Sequence, residues 1–446
     1  MYARSFFRCA LACCLAASVP CIALADNAPQ APTPTYELPV SDVSALADVF
    51  ERIKRAYVKP VEDKVLLEGA MRGMVQQLDP HSDYLNEDAL KHLREATDGE
   101  FGGIGIEVNL RNNRLTVISP IDNTPASQAG LKPQDTILSV NGKSTEGLSL
   151  EAAVALMKGP IGEPVTLSII SQGQNTPRTV TLKRAGIRSN SVVSRREAGD
   201  IGYLRISQFQ TRTGTDLHKA LLALRQQGPL SGLVLDLRNN PGGVLQGGVE
   251  VTSAFVDDGL VVYTQGRLKE SDARYQVTHH ADEPTLPMVV LVNEGSASAA
   301  EIVSGALQDH GRAIIMGTDT FGKGSVQSVL PLDNGAGLKL TTALYYTPNG
   351  RSIQAEGIRP DIYVAPGQVT EKAVAPARRE SDLARHFTNA QRNDERASVQ
   401  NTPITDYQLR EAVNLLKGMS VLKKERPATA KPATSDTNEK DIPATP

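Results

Sequence analysis

Two short stretches of this chain hold residues that can do covalent chemistry. The first is "VNEGSASAAEIVSGAL", Val292 to Leu307. It follows an apolar run and gathers Gly295, Ser296, Ala297, Ser298, Ala299 and Ala300 where a strand gives way to a helix. A serine at such a junction gains in two ways. The helix dipole favours developing negative charge, and the next backbone N–H, that of Ala299, can face an oxyanion. Small neighbours let a second backbone come close. The same residues also spell a capping box, Ser298-Ala299-Ala300-Glu301, in which the serine only starts the helix. The chemical reading needs a base.

Seven histidines are present: His81, His92, His218, His279, His280, His310 and His386. None stands in a glycine-rich or strand-end setting. His279 and His280 are adjacent, so their side chains point apart, and no metal-binding spacing accompanies them. The second stretch, "GTDTFGKGSVQ" from Gly317 to Gln327, offers a lysine instead. Its Gly-x-x-x-x-Gly-Lys almost completes a phosphate-binding loop. That loop needs Ser or Thr after the lysine and a helix beyond; here Gly324 follows Lys323, and "SVQSVLPL" reads as a strand. As a base, Lys323 has to be neutral. Moving a lysine from about 10.4 towards 7 takes roughly 4–5 kcal/mol of burial and neighbouring charge. Gln327 lies four residues on, which in a strand puts it on the face of Lys323. An uncharged amide there orients the lysine without holding it protonated. A surface lysine in a loop is the ordinary alternative.

The elements that must position these residues are legible in the pattern. From about Ile187 to Val364, "GLVLDLR", "MVVLVN" and "AIIMG" are continuous apolar strands, and helices follow the first two. Such runs indicate a largely parallel sheet covered on both faces. In open sheets of this kind, functional groups collect at the carboxyl ends of strands. "LKLTTALYYTPNG" reads as a later, antiparallel addition. Between Gly99 and about Arg184, short strands alternate with turns and two short helices, which indicates a separate β-rich domain. Before it, Val43, Leu46, Phe50, Ile53 and Tyr57 fall at helical spacing, and Leu67, Ala70, Met71, Met74 and Leu78 make a second stripe that Pro80 ends.

The chain has 446 residues, 40% hydrophobic and 22% charged, with a formal charge of −3 and no large basic block. Nothing there argues for nucleic acid. Residues 1–25 read as a signal peptide: Arg4 and Arg8, an apolar run, then Ala23-Leu24-Ala25. All four cysteines, Cys9, Cys13, Cys14 and Cys21, fall inside it. The mature chain is therefore expected to lack disulfides and cysteine chemistry, and its expected compartment is the periplasm.

"VNEGSASAAEI", "TFGKGSVQ", "LDLRNNPGG" and "YYTPNGRSIQ" resemble the signature segments of the carboxy-terminal processing (tail-specific) serine peptidases, in their bacterial periplasmic CtpA form. The resemblance runs from about Val43 to Val364. It implies an α/β (α+β multidomain) fold: a ClpP/crotonase-like Ser-Lys peptidase core, an inserted β-rich PDZ domain and a small N-terminal helical domain. It puts the nucleophile on Ser298 rather than Ser296, the general base on Lys323 and an assisting glutamine on Gln327. The oxyanion amides fall on Gly243 and Ala299. Ala300 departs from the family, where many members carry another serine. No cofactor is implied. "EFGGIGIEV" resembles the PDZ carboxylate loop. The amides of Gly103, Ile104, Gly105 and Ile106 can form a nest for a terminal carboxylate, with the peptide added as a strand and its last side chain against Leu150, Val154 and Met157. A glycine turn without a ligand is the plainer alternative.

The expected organisation is a signal peptide at 1–25, a leader at 26–40, the helical domain at 41–98, the PDZ domain at 99–185 and the peptidase core at 186–366. A C-terminal region follows at 367–425, with an amphipathic helix from Tyr407 to Leu422, and then a disordered tail at 426–446. The expected activity is a periplasmic endopeptidase that recognises substrates by their C-terminal ends. An adaptor protein is a candidate further partner. The rival is a non-catalytic PDZ scaffold with a decayed core. Two stripes, Val43 to Tyr57 and Leu409, Val413, Leu416 and Met419, are expected to serve a homo-oligomer through one or both. Packing of each on its own domain is the alternative, with less room for it at the second, whose flanking sequence offers little to pack on.

Overall fold

The computed structural model describes residues 39–279, 281–368 and 405–424. The expected signal peptide, nearly all of the leader, His280, His386 and the C-terminal tail lie outside these residues. Two compact units divide at Leu67 and Glu68. The first holds α1 (Val40–Ala56) and the start of α2 (Asp63–Gln76). No residue of α1 is buried, and Val43, Leu46 and Val49 are about half exposed. Lys54 closes the turn between the helices by donating to the Val61 carbonyl and pairing with Asp63.

In the second unit, β1 (Asp83–Leu85) leads into α3 (Glu87–Asp98). Asn86 caps α3 by accepting from the Ala89 amide. The β-rich domain follows: β2 (Glu100–Gly103), β3 (Ile106–Arg111), β4 (Arg114–Pro120), α4 (Pro125–Gln128), β5 (Thr136–Val140), β6 (Lys143–Ser144), α5 (Leu150–Met157), β7 (Pro164–Ile170), β8 (Arg178–Lys183) and β9 (Ala185–Arg188). Its sheet runs β3-β4-β5-β7-β8, antiparallel throughout, with β6 beside β5. Along β7, Val165, Leu167 and Ile169 point inward and alternate with less buried residues, the period-two pattern of a sheet with one covered face. Ala153 and Met157 of α5 close this core. β2 and β9 pair with each other in a separate two-stranded ribbon where the chain enters and leaves.

The remaining elements are β10 (Val192–Glu197), β11 (Ile201–Ile206), α6 (Thr213–Gln226), β12 (Gly232–Asp236), α7 (Leu245–Ser253), β13 (Leu260–Gly266), β14 (Ala273–Gln276), β15 (Met288–Val292), α8 (Ala299–Asp309), β16 (Ile314–Gly317), β17 (Ser325–Pro331), β18 (Gly337–Tyr346), β19 (Ile362–Tyr363) and α9 (Tyr407–Lys424). The main sheet runs β10-β11-β12-β15-β16-β19, parallel except at β10. β12 and β15 are buried at every position, as continuous apolar strands require. Helices α6, α7 and α8 cover one face. A second, antiparallel sheet is built on β18, which pairs with β1, β13 and β17.

The other face of the main sheet corrects one expectation. Leu409, Ala412, Val413 and Leu416 of α9 are buried against Tyr203, Val234, Val289 and Leu291. The C-terminal stripe finds its partner surface on its own chain, because the sheet would otherwise leave one apolar face open. Leu416→Ala is therefore expected to cost about 2–5 kcal/mol in urea unfolding, against about 0.5 kcal/mol or less for Leu422→Ala on the exposed side. Equal small effects would contradict the docking.

Candidate active site

Three loops leave the carboxyl ends of neighbouring strands β12, β15 and β16. The β15 loop makes a tight turn in which Ser296 is wholly buried and fully engaged. Its hydroxyl donates to the Leu237 carbonyl at 2.8 Å and accepts from the Asn293 amide at 3.0 Å. Ser298 is left as the N-cap of α8, 8% exposed, with φ 54° and ψ −115°. Positive φ is uncommon for a non-glycine residue, and such strain persists only where the surroundings impose it.

What imposes it is Glu301. This carboxylate is completely buried and takes four donors: the Ser298 amide at 2.8 Å, the Thr320 hydroxyl, the Gly322 amide at 2.7 Å and the Lys323 amide at 2.9 Å. Thr320 Oγ1 in turn accepts from the Ile358 amide at 2.7 Å. One anion thus fixes the backbone at Ser298 and at Lys323. The capping-box spacing was the sole sequence signal at Glu301, and it pointed only to the helix end.

Lys323 is half-buried. Burial pushes its ammonium below the usual lysine range, and the positive charge of Lys339 adds to this, while Asp79 and Glu301 oppose it. Burial and then Lys323 likewise lower His81. The segment is gripped by the end of β18 and the residues after it. Gly324 donates to Gln354 Oε1 at 3.0 Å and accepts from the Tyr345 amide at 2.7 Å, while the Ala355 amide donates to Gly322 at 2.9 Å. A Cβ on Gly324 would sit 2.4 Å from the Gln354 amide nitrogen, so only glycine fits. This is the structural use of "YYTPNGRSIQ".

Tyr345 was not singled out by the sequence. It is 6% exposed, and its phenol lies near enough to Ser298 to feel its side chain. Burial, with Tyr275 nearby, pushes the phenol up to about 12, so it stays a neutral donor.

Gln327 departs from the pleat argument. β17 begins at Ser325, after Lys323, and its pairing with β18 shifts register between Val326 and Gln327. The amide of Gln327 donates to Ser325 Oγ at 2.9 Å and to Thr341 Oγ1 at 3.3 Å, and Thr341 Oγ1 donates to Asp79 at 3.1 Å. Among the described residues, no hydrogen bond joins Gln327 to Lys323.

The loop after β12 brings Gly242, the residue before Gly243, against the serine. Buried Asn240 shapes it, accepting from the Gly242 amide, donating to the Ile206 carbonyl and taking the Ala297 amide on its own carbonyl, each at 2.9 Å. Gly243 pairs with Phe209 in a single strand-like bridge whose bonds are made by its neighbours Gly242 and Val244. Phe209 donates to Gly242 and accepts from Val244, so the amide of Gly243 faces away from that bridge. Gly242 has φ 94°, and a Cβ there would lie 2.7 Å from Ser298 Cβ. Ala299 is the first residue of α8, where an amide has no acceptor within its helix.

In the β-rich domain, a narrow cavity of about 70 Å³ is lined by Gly103, Ile104, Gly105 and Ile106, with Val154 and Met157 from α5. Phe101, Ile121 and Ile187 complete its apolar wall, and Lys158 adds a cation, its Nζ 4.3 Å over the Phe101 ring. Leu150 does not line it; that side chain packs on the domain core instead. Within the sheet, β3 is an edge strand, paired only with β4.

Comparison with known proteins matches residues 200–364 to Peptidase family S41, residues 116–171 to the PDZ domain and residues 23–89 to the N-terminal domain of the activating protease CtpB. A carboxy-terminal-processing protease of Bartonella bacilliformis is 45% identical over 384 residues, 84% of this chain and 88% of the relative. A carboxyl-terminal-processing protease of Synechocystis is 38% identical over 318 residues, 69% of this chain and 74% of the relative. The carboxy-terminal processing protease CtpA of Bacillus subtilis is 36% identical over 323 residues, 72% of this chain and 69% of the relative.

Glu301→Gln keeps the volume but replaces one acceptor oxygen by an NH₂ that cannot receive the two donors aimed at it, either the Ser298 and Lys323 amides or the Thr320 hydroxyl and Gly322 amide. Each buried donor left unpaired costs about 1–3 kcal/mol. The variant is expected to react at least about tenfold more slowly with a serine-directed fluorophosphonate. Unchanged labelling in a folded variant, checked by circular dichroism, would show that Glu301 does not hold the site.

Proposed function

This chain belongs to the carboxy-terminal-processing proteases of peptidase family S41, and on that premise we propose that it is a periplasmic endopeptidase working through a Ser298–Lys323 dyad. It is a PDZ-containing serine protease, so the non-catalytic scaffold falls away. Ser298 attacks the scissile carbonyl while Lys323 accepts its proton. The amides of Gly243 and Ala299 receive the oxyanion. Lys323 then returns the proton to the leaving amine, and water hydrolyses the acyl-enzyme. Gln327 acts through Ser325 and Thr341, whose bonds steady the strand beside the base. The observation that carries this reading is the Glu301 carboxylate, which accepts from the N–H groups of both Ser298 and Lys323.

Protein substrates enter by their C-terminal ends, bound in the groove of Ile104, Val154 and Met157 and added along the free edge of β3. An adaptor protein is the candidate for delivering them. The periplasmic setting rests on the signal-peptide pattern and cleavage after Ala25, which N-terminal sequencing of the exported protein tests. The exposed stripe of α1 pairs with a second copy. Replacing Val43 and Leu46 with serine should lower the mass seen by light scattering to that of one chain. A monomeric wild type at micromolar concentration would remove this part of the proposal.

Ser298→Ala and Lys323→Ala should each lower peptide cleavage by about 10³-fold or more with the fold intact. Lys323→Arg should be as inactive, because a guanidinium does not deprotonate. Neutral Lys323 is the active form, and burial lowers its pKa. Cleavage therefore rises with pH through a value below that of an ordinary lysine and holds on the alkaline side. Measured pH–rate profiles with an acidic optimum, or full activity in Lys323→Ala, would sink the dyad.

A further inference from the structure

The loop that presents Gly243 starts at Arg238, and Arg238 is gripped by a segment far along the chain. Its guanidinium holds Asp236, at the end of β12, through Nε at 3.0 Å and Nη2 at 2.6 Å. It holds Asp406 through Nη1 at 3.1 Å and Nη2 at 2.7 Å, and Nη1 also reaches Gln408 Oε1 at 2.9 Å. Asp406 and Gln408 stand at the N-terminal end of α9. Both are fixed there in their turn, since Asp406 accepts from the Leu409 amide at 3.2 Å and Gln408 donates to the Val364 carbonyl at 2.7 Å.

The backbone of Arg238 is engaged as firmly as its side chain. Its amide donates to Asp236 at 3.0 Å, and its carbonyl accepts from Arg205 at 3.2 Å. Asp236 is 1% exposed and also takes the Tyr203 hydroxyl at 2.7 Å. Burial works against the charge on Arg238, but the two carboxylates more than offset it. Next along the loop, Asn239 donates to Asn293 Oδ1 at 2.8 Å, and Asn240 sets the turn at Gly242 and Gly243. A bidentate fork on each side of one guanidinium leaves this loop no freedom at its root. Without the carboxylate of residue 406, the outer side of the fork keeps only the neutral Gln408 oxygen on Nη1, and Nη2 loses its second partner. The helix itself remains docked by Leu409, Ala412, Val413 and Leu416.

We propose that Arg238 and Asp406 are positioning residues for the reaction, the start of α9 serving as the outer abutment of the loop that aims the Gly243 amide at the oxyanion. The proposal rests on the reading of Gly243 as an oxyanion donor. It makes the C-terminal helix a part of the catalytic apparatus that touches no substrate. The loss on removing the Asp406 charge falls on the transition state and not on substrate binding, which the PDZ groove and the remaining surface supply.

The test uses the full mature protein with Asp406→Asn, Asp406→Glu and wild type. Peptide cleavage gives kcat and KM, and a peptidyl boronic acid, which places an anionic oxygen in the hole, gives a transition-state-like affinity. Asp406→Asn should lose about tenfold in kcat and a similar factor in boronate affinity. Its KM should stay within about twofold, and Asp406→Glu should recover most of the loss. Full kcat and boronate affinity in Asp406→Asn would overturn the proposal. So would a loss confined to KM, or one that Asp406→Glu fails to restore although both variants keep the wild-type unfolding midpoint. Wild type that neither cleaves peptide nor binds boronate would instead overturn the underlying serine reading.

Discussion

A carboxylate stripped of water has to fill its lone pairs with donors or it destabilises the fold. Glu301 meets that demand with four, and two of them are the backbone amides of Ser298 and Lys323. The constraint works in both directions. The buried charge needs the two loops to converge, and the loops hold their positions because the charge is there. The left-handed backbone at Ser298, a strain of roughly 1–3 kcal/mol, is sustained by this grip. The same carboxylate stands near the lysine as an opposing charge, yet burial and Lys339 outweigh it.

Convergence at Glu301 is possible because β12, β15 and β16 are adjacent and parallel. Asp236 pairs with Leu291, and Val292 pairs with Gly317. The three loops that follow carry Gly243, Ser298 and Lys323, and parallel strands release them at one edge of the sheet. The loops then bond to one another directly: Ala297 donates to Asn240, and Phe321 donates to Ser296 at 3.0 Å. The antiparallel sheet adds the remaining wall through β18, whose Tyr345, Thr341 and Lys339 face the same chemistry.

Residue type and local spacing made the apolar strands legible and offered Ser298 and Lys323 as candidates, since each is a property of a few consecutive residues. A helix cap and a surface lysine stood beside these candidates, and the resemblance chose between the readings. What stayed hidden depended on neighbours brought in by folding. Glu301 looked like a helix cap because its other three donors come from residues 320–323. Gln327 shares a face with Lys323 only in an unbroken strand, but the strand starts later and its pairing shifts register. The PDZ groove takes Ile121 and Ile187 from distant segments, and Leu150 turns into the core instead. The C-terminal stripe has polar flanks and so no local partner in the sequence, whereas its cover is a sheet whose strands β11, β12, β15 and β16 all lie far earlier in the chain.

The two-stranded ribbon of β2 and β9 has a consequence for how such chains diversify. Gly103 pairs with Ala185, so the PDZ domain leaves and returns through adjacent strands roughly 4.7–4.9 Å apart. A domain inserted through so narrow a stem is a cassette. Replacing it, enlarging it or trimming it leaves the strands of the main sheet, which are paired among themselves, unbroken. The domain and the hydrolytic core can then drift at separate rates within one lineage, with four residues on each side of a ladder as the covalent stem between them.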